Sequence, residues 1–164
     1  MFYIATIRFT NKTIEENVHY KRNNATEGVL YGVSLKIRDK YPLQSFMFVL
    51  EMNNNTNQLN GIGLIRNSLI VDKVYNIYED DNYNRFIYKG DLWISRETMI
   101  EHDFETLHIL ENIVFKGKSH LKRQGGGISV IGNKLYSKWN THEDTIKQKI
   151  KNIFVNIYKN KSEL

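Results

Sequence analysis

The chain has 164 residues, no cysteine and a formal net charge of +5. It is long enough for one domain to bury roughly two-thirds of its unfolded surface, and the missing thiols exclude disulfides, cysteine–zinc sites and cysteine nucleophiles. Residues 116–164 hold 11 basic and 3 acidic side chains, a balance of +8, whereas residues 1–115 hold 12 and 15, a balance of −3. A cationic field concentrated in the last third suits a polyanion such as nucleic acid or an anionic membrane surface; a solvated, lysine-bearing terminal helix gives the same count. The richness in asparagine, lysine, isoleucine and tyrosine follows AT-rich codons, as in a large DNA virus or a protist, and accounts for part of the lysine excess.

The opening segment "FYIATIRFT" (2–10) alternates and is β-branched or aromatic, as a half-buried strand should be. Its apolar run breaks at Arg8, too early for a signal sequence or a membrane span. An intracellular chain, neither secreted nor membrane-bound, is therefore expected. "NKTIEENVHYKRNNATEG" (11–28) reads as a polar, turn-rich interruption. Strands are predicted at "VLYGVSLKI" (29–37), "SFMFVLEM" (45–52) and "IGLIRNSLIV" (62–71), the last two forming a hairpin across the asparagine-rich loop "NNNTNQLNG". "VYNIYEDD" (74–81) and "NRFIYKGDLWIS" (84–95) supply two more, the second turning at Lys89-Gly90-Asp91.

Two helices follow. In "DFETLHILENIVF" (103–115) Asp103 can cap, with Phe104, Leu107, Leu110 and Val114 on one apolar face. In "NTHEDTIKQKIKNIFVNIYKN" (140–160) Asn140 and Glu143 make a start resembling a capping box, and Ile146, Ile150, Ile153, Phe154, Ile157 and Tyr158 recur at helical spacing. Between the helices, "GISVIGNKLYSKW" reads as a late strand and a turn. Short, closely spaced strands favour a small antiparallel sheet over a doubly wound parallel one. The expectation is a single α+β domain over 1–164: a small curved antiparallel β-sheet or barrel flanked by helices, with a C-terminal amphipathic helix.

The stretch "KGKSHLKRQGGGISV" (116–130) is the strongest candidate for chemistry. Lys116, Lys118, Lys122 and Arg123, with His120 among them, follow an apolar helix whose C-terminal dipole they also favour. Gly125, Gly126 and Gly127 allow close backbone approach to a ligand or positive φ. Ammonium groups, an arginine fork and exposed amides are what a phosphate backbone needs; a mobile surface turn is the plainer alternative. The stretch is neither a Walker A motif nor a GxGxxG fingerprint, because the lysines precede the glycines and no glycine follows at the required spacing.

In "YNRFIYKGDLW", Arg85, Tyr88, Lys89 and Trp93 interleave cations with aromatic faces, as stacking on unpaired bases requires. Asn53 and Asn55 at a strand end are candidates for reading a base edge, or simply turn residues. Glu51 and Asp91, with Lys89, are the only carboxylate pair of note. No catalytic constellation, metal site or cofactor follows, and the partner expected is RNA or DNA, in an oligomeric state that the sequence leaves open.

The segments "FYIATI", "SFMFVLEM…NGIGLI" and "NRFIYKGDLWIS", followed by basic residues and a helix, resemble the PUA-like superfamily, and within it the EVE and YTH-type binders of modified bases. The resemblance covers residues 1–130. It implies a small curved β-barrel, a base held in an aromatic-lined pocket with Trp93 as a wall, and the basic loop on the nucleic-acid backbone. Separately, Gln124-Gly125-Gly126-Gly127-Ile128-Ser129 loosely resembles the loop with which GNAT acyltransferases hold the pyrophosphate of acyl-CoA, although here it follows a helix and leads into a strand. A non-catalytic protein-interaction module, docking through the terminal helix, is the third class.

Overall fold

The computed structural model describes residues 1–159, so Asn160, the last position of the expected terminal helix, lies outside the described residues. In chain order the elements are β1 (Phe2–Phe9), α1 (Asn11–Asn23), β2 (Val29–Val33), β3 (Phe46–Asn53), β4 (Gln58–Arg66), β5 (Phe86–Gly90), β6 (Leu92–Ser95), α2 (Arg96–Phe115), β7 (Ser129–Val130), α3 (Asn133–Ser137) and α4 (Glu143–Ile157). A short 3₁₀ turn at Asp81–Asn84 precedes β5.

The fold is α+β, but its sheet is neither purely antiparallel nor closed into a barrel. Five strands form one mixed sheet in the order β6-β4-β3-β1-β7, and β2 and β5 pair separately. β1 runs parallel to β3 with Ile4 opposite Phe48, while β3–β4, β4–β6 and β1–β7 are antiparallel. The reason lies in residues 11–28, expected as a polar interruption. Thr10 caps α1 there through a reciprocal capping box with Thr13, and a helix within the crossover returns the chain so that β3 runs alongside β1, as a parallel pair requires.

Three layers result. On one face of the mixed sheet, Ile4, Phe48, Leu50 and Ile62 pack with Leu107 and Leu110 of α2 and Ile150 and Phe154 of α4. On the other, Ala5, Ile7, Met47 and Val49 meet Val29, Tyr31, Ile87 and Tyr88 of the β2–β5 pair. Because β3 is covered on both sides, its sequence is apolar without alternation from Phe46 to Leu50. The segment 84–95 forms two strands that belong to different sheets, since the chain leaves β2 at Gly90 and joins β4 at Leu92. A Cβ on Gly90 would sit 1.9 Å from the Leu64 carbonyl oxygen, so only glycine allows that passage.

Other expectations need correction. Residues 74–81 form no strand: the Ile77 and Tyr78 amides donate to Asn84 Oδ1, so a side chain replaces the ladder while both residues stay buried. Residues 133–137, expected as a turn, are helical. α2 begins earlier than expected, capped by Ser95, and breaks at Asp103. Asp103 then caps the second half through the Thr106 amide at 3.1 Å, as anticipated, but Phe104 points outward. Asn140 does not cap α4; its φ is +53°, and His142 occupies the N-cap without a side-chain bond. The apolar stripe of α4 matches the sequence reading, with Ile146, Ile150, Ile153 and Phe154 buried.

Phe154 is fully buried and its ring centroid lies 5.3 Å from that of Phe48. Phe154→Ala is therefore expected to destabilise the protein by about 3–5 kcal/mol, read as a lower urea midpoint with an unchanged m-value.

Candidate ligand cleft

β7 pairs with only Ala5 and Thr6 of β1. The edge of β1 beyond them is left to the loop that follows α2, and a cleft of about 420 Å³ opens there, within the size range of small-molecule sites. Its walls are the end of β1 (Ile7 to Thr10), Thr13 of α1, Gly32 and Val33 of β2, Asn54, Tyr78 and Tyr83, and residues 122–127 of the basic loop. No aspartate or glutamate lines it.

The glycine-rich loop is held by its carbonyls. Arg8 Nη2 donates to the Gly125 carbonyl at 2.7 Å and the Gly127 carbonyl at 2.6 Å, and Arg8 Nη1 donates to Thr6 Oγ1 at 3.2 Å. The Ser34 amide and Ser34 Oγ each donate to the Gly126 carbonyl at 2.9 Å. The Gly127 amide donates back to the Gly125 carbonyl at 2.8 Å, whereas the Gly125 and Gly126 amides have no acceptor among the described residues. Unpaired amides in a loop beside cations form an anion-binding concavity.

None of these three glycines has positive φ, contrary to one of the two expected reasons for them. The need is space, and it is unequal: a Cβ on Gly126 would lie 2.1 Å from Ser34 Oγ and 3.3 Å from the Tyr83 ring, whereas one on Gly125 meets nothing within 4 Å.

Arg8 is the dominant charge of the cleft. Burial lowers the pKa of its guanidinium, opposed by the nearby Tyr83 phenol. No carboxylate pairs with it among the described residues. A partly buried cation held only by neutral oxygens is incompletely compensated, and Lys122 and Arg123 add positive charge on the same wall. Tyr83, 40% exposed, presents its ring here and meets Tyr78 edge-on with centroids 6.5 Å apart.

The structure separates the residues singled out in the sequence. Lys122, Arg123, Gly125, Gly126 and Gly127 line the cleft, whereas Lys116, Lys118 and His120 do not. Lys116 and Lys118 are exposed at the end of α2, and His120 Nδ1 accepts from the Lys122 amide, shaping the loop. Tyr88 cannot serve as a stacking platform: it is 1% exposed and its hydroxyl accepts from the Ile37 amide at 2.9 Å. Arg85 and Lys89 lie over the protein's own Phe86 and Tyr75 rings.

Trp93 is no wall of the cleft. Its Nε1 donates to Glu51 Oε1 at 3.1 Å, and its ring stands where a Cβ on Gly61 would be. Glu51 is buried and also accepts from Asn60 Nδ2 and the Tyr31 hydroxyl. Burial first, then the Glu51 carboxylate, pushes the Tyr31 hydroxyl pKa well up. Glu51 is thus a satisfied structural carboxylate, and Asp91 is exposed. Asn53 and Asn55 hold the turn and α1: Asn53 Oδ1 accepts from the Asn55 amide, and Asn55 Oδ1 accepts from the Asn11 amide. The asparagine facing the cleft is Asn54, whose Nδ2 donates to the Lys122 carbonyl at 3.0 Å.

Tyr83 is one of the aromatics that "YNRFIYKGDLW" sets among cations, whereas Arg8 and Tyr78 have no place in the sequence reading of the site. The one sequence clue to Arg8 is a charge set inside an otherwise apolar strand. The loop runs from α2 into β7 and opens no helix, so it lacks the helix N-terminus that an acyl-CoA pyrophosphate loop uses. No known family, curated protein or solved structure matches the chain. Among the described residues, no helix is long and apolar enough to cross a membrane, and no cluster of three metal-ligating side chains occurs.

Gly126→Ala is expected to cost about 1–3 kcal/mol by forcing the loop off Ser34 and Tyr83, while Gly125→Ala leaves the thermal midpoint unchanged. Equal midpoints for the two variants would mean that the loop is not packed in this way.

Proposed function

We propose that the protein binds single-stranded nucleic acid, holding an unpaired base against Tyr83 while Arg8, Lys122, Arg123 and the glycine amides take the adjoining phosphate. The observation that carries this reading is Arg8: a partly buried guanidinium without a carboxylate partner among the described residues, in a cleft whose lining has aromatic rings and no acid. Such a site favours a ligand that is both anionic and aromatic, which is the description of a nucleotide. Gln124 adds an exposed amide group able to meet a base edge. The resemblance to PUA-like binders enters the reading as a base pocket, with Tyr83 rather than Trp93 as its aromatic wall.

Fluorescence anisotropy with single- and double-stranded oligonucleotides, with and without methylated bases, tests the proposal. Neutralising roughly two to three phosphates should give a log K against log salt slope of about −1.4 to −2.1. Lys122→Glu with Arg123→Glu should weaken binding at least tenfold without changing the melting curve. An unaltered affinity in that variant would remove the loop from the account, and no binding at low salt would sink the reading altogether.

Tyr83→Ala should cost about 1–3 kcal/mol of binding through lost stacking. Trp93→Phe, which strips a donor from Glu51 and shortens a ring packed against the core, should lower stability by about 1–3 kcal/mol and leave affinity alone.

A further inference from the structure

A second cleft, of about 380 Å³, lies against the same loop and shares Gln124, Gly125 and Gly127 with the first. Its remaining walls are Leu35, Lys36, Arg38, Tyr41 and residues 128–130 leading into and along β7. Like the first cleft it has cations, a tyrosine and no acidic residue in its lining. What separates the two is a thin ridge. Leu35 is bridged in parallel to Gly127, and Ser34 holds the Gly126 carbonyl, so the divider is a single glycine-rich segment, about 5 Å across at strand spacing.

From this arrangement we infer that one nucleic-acid strand crosses the glycine ridge, with a base and its phosphate in the Tyr83 cleft and the next nucleotides in the Lys36–Arg38–Tyr41 cleft. The inference rests on the nucleic-acid reading of the first cleft and extends it to a second subsite. Three observations favour a continuous track over two separate pockets. Gly125 is exposed and a Cβ there would meet nothing within 4 Å, so a backbone can pass close to the ridge at that point, while Gly126 and Gly127 let the ridge itself pack tightly on Ser34 and Leu35. The Gly125 and Gly126 amides, in the segment that divides the two clefts, have no acceptor among the described residues. Beyond the second cleft the aromatic character continues: Tyr41 meets Tyr3 edge-on at 5.0 Å, and Lys147 of α4, paired with Glu143 at 2.9 Å, lies over the Tyr3 ring at 5.7 Å. The basic C-terminal helix thereby adjoins the far end of the track. Tyr83 on one side of the ridge and Tyr41, under the Lys40 ammonium at 5.3 Å, on the other favour unpaired bases, because a duplex keeps its bases stacked on each other.

The test uses the full chain and labelled homopolymer single strands, RNA and DNA in separate arms, of two, four and eight nucleotides. In the native protein the affinity should rise at least tenfold between two and four nucleotides. Lys36→Glu with Arg38→Glu should abolish that rise while holding dinucleotide affinity within twofold. The charge-matched Arg22→Glu with Lys134→Glu, at exposed positions lining neither cleft, should retain the rise. A rise that survives Lys36→Glu with Arg38→Glu, or equal weakening of all lengths in both double variants, overturns the track while leaving the first cleft standing. Failure of the native protein to bind any of the strands would instead overturn the nucleic-acid reading, and the track with it.

Discussion

The hydrogen bonds from Arg8 to the Gly125 and Gly127 carbonyls are the constraint on which the cleft depends. A loop of three glycines has a high conformational entropy, and fixing it costs on the order of 1–2 kcal/mol per residue. Charge-assisted bonds are among the few local interactions strong enough to offset this. The consequence is directional. Once a cation gathers the carbonyls, the Gly127 amide closes back on the Gly125 carbonyl, and the Gly126 amide, which shares its peptide unit with the Gly125 carbonyl, is turned away from Arg8. One arginine thus orders the loop and sets the sign of the surface that the loop displays.

The position of Arg8 follows from the sheet. A two-residue β7 covers only part of β1, so the last residues of β1 keep a free edge. An uncovered edge is a hazard in a β protein, and here the basic loop occupies it without forming a ladder. The crossover through α1 brings Thr10 and Thr13 to the same end, with the positive end of the helix dipole close by. The parallel β1–β3 pair, the short β7 and the glycine loop are therefore one solution to one topological problem. The cleft is what remains open.

Much of this was legible in the sequence, and the misses share a cause. The terminal helix and β3 could be read because their burial leaves a periodic or continuous apolar pattern that does not depend on partners. The basic glycine loop was legible as a candidate because charge and glycine clusters are local. What the sequence hid was pairing. Capping by Thr10 and Thr13 turns a polar stretch into α1, yet the same residues suit a turn. Asn84 stands in for a strand partner of Ile77 and Tyr78, which removes a strand that alternation predicted. Asn53, Asn54 and Asn55 look interchangeable, and only the fold sends the middle one to the cleft and the outer two into the turn. Tyr88 and Tyr83 are equally aromatic on paper, but one lies between sheets and the other on an exposed 3₁₀ turn.

Two charged groups withdrawn from solvent show how burial alone fails to mark a site. Glu51 is buried more deeply than Arg8, but its oxygens are filled by the Tyr31 hydroxyl, the Asn60 amide and the Trp93 indole, and it lines neither cleft. Those three donors come from β2, β4 and β6, so the carboxylate locks the small sheet onto the large one and its bonding capacity is spent inside the fold. Arg8 also makes three hydrogen bonds, but all go to neutral oxygens of its own strand and of the loop, and its guanidinium remains on the wall of a cleft without an acid. Neutral partners satisfy geometry without cancelling charge, and what is left over is an attraction for an anion. The difference lies in where the unspent electrostatic free energy points: for Glu51 it is turned into the junction of two sheets, and for Arg8 it faces an open cleft.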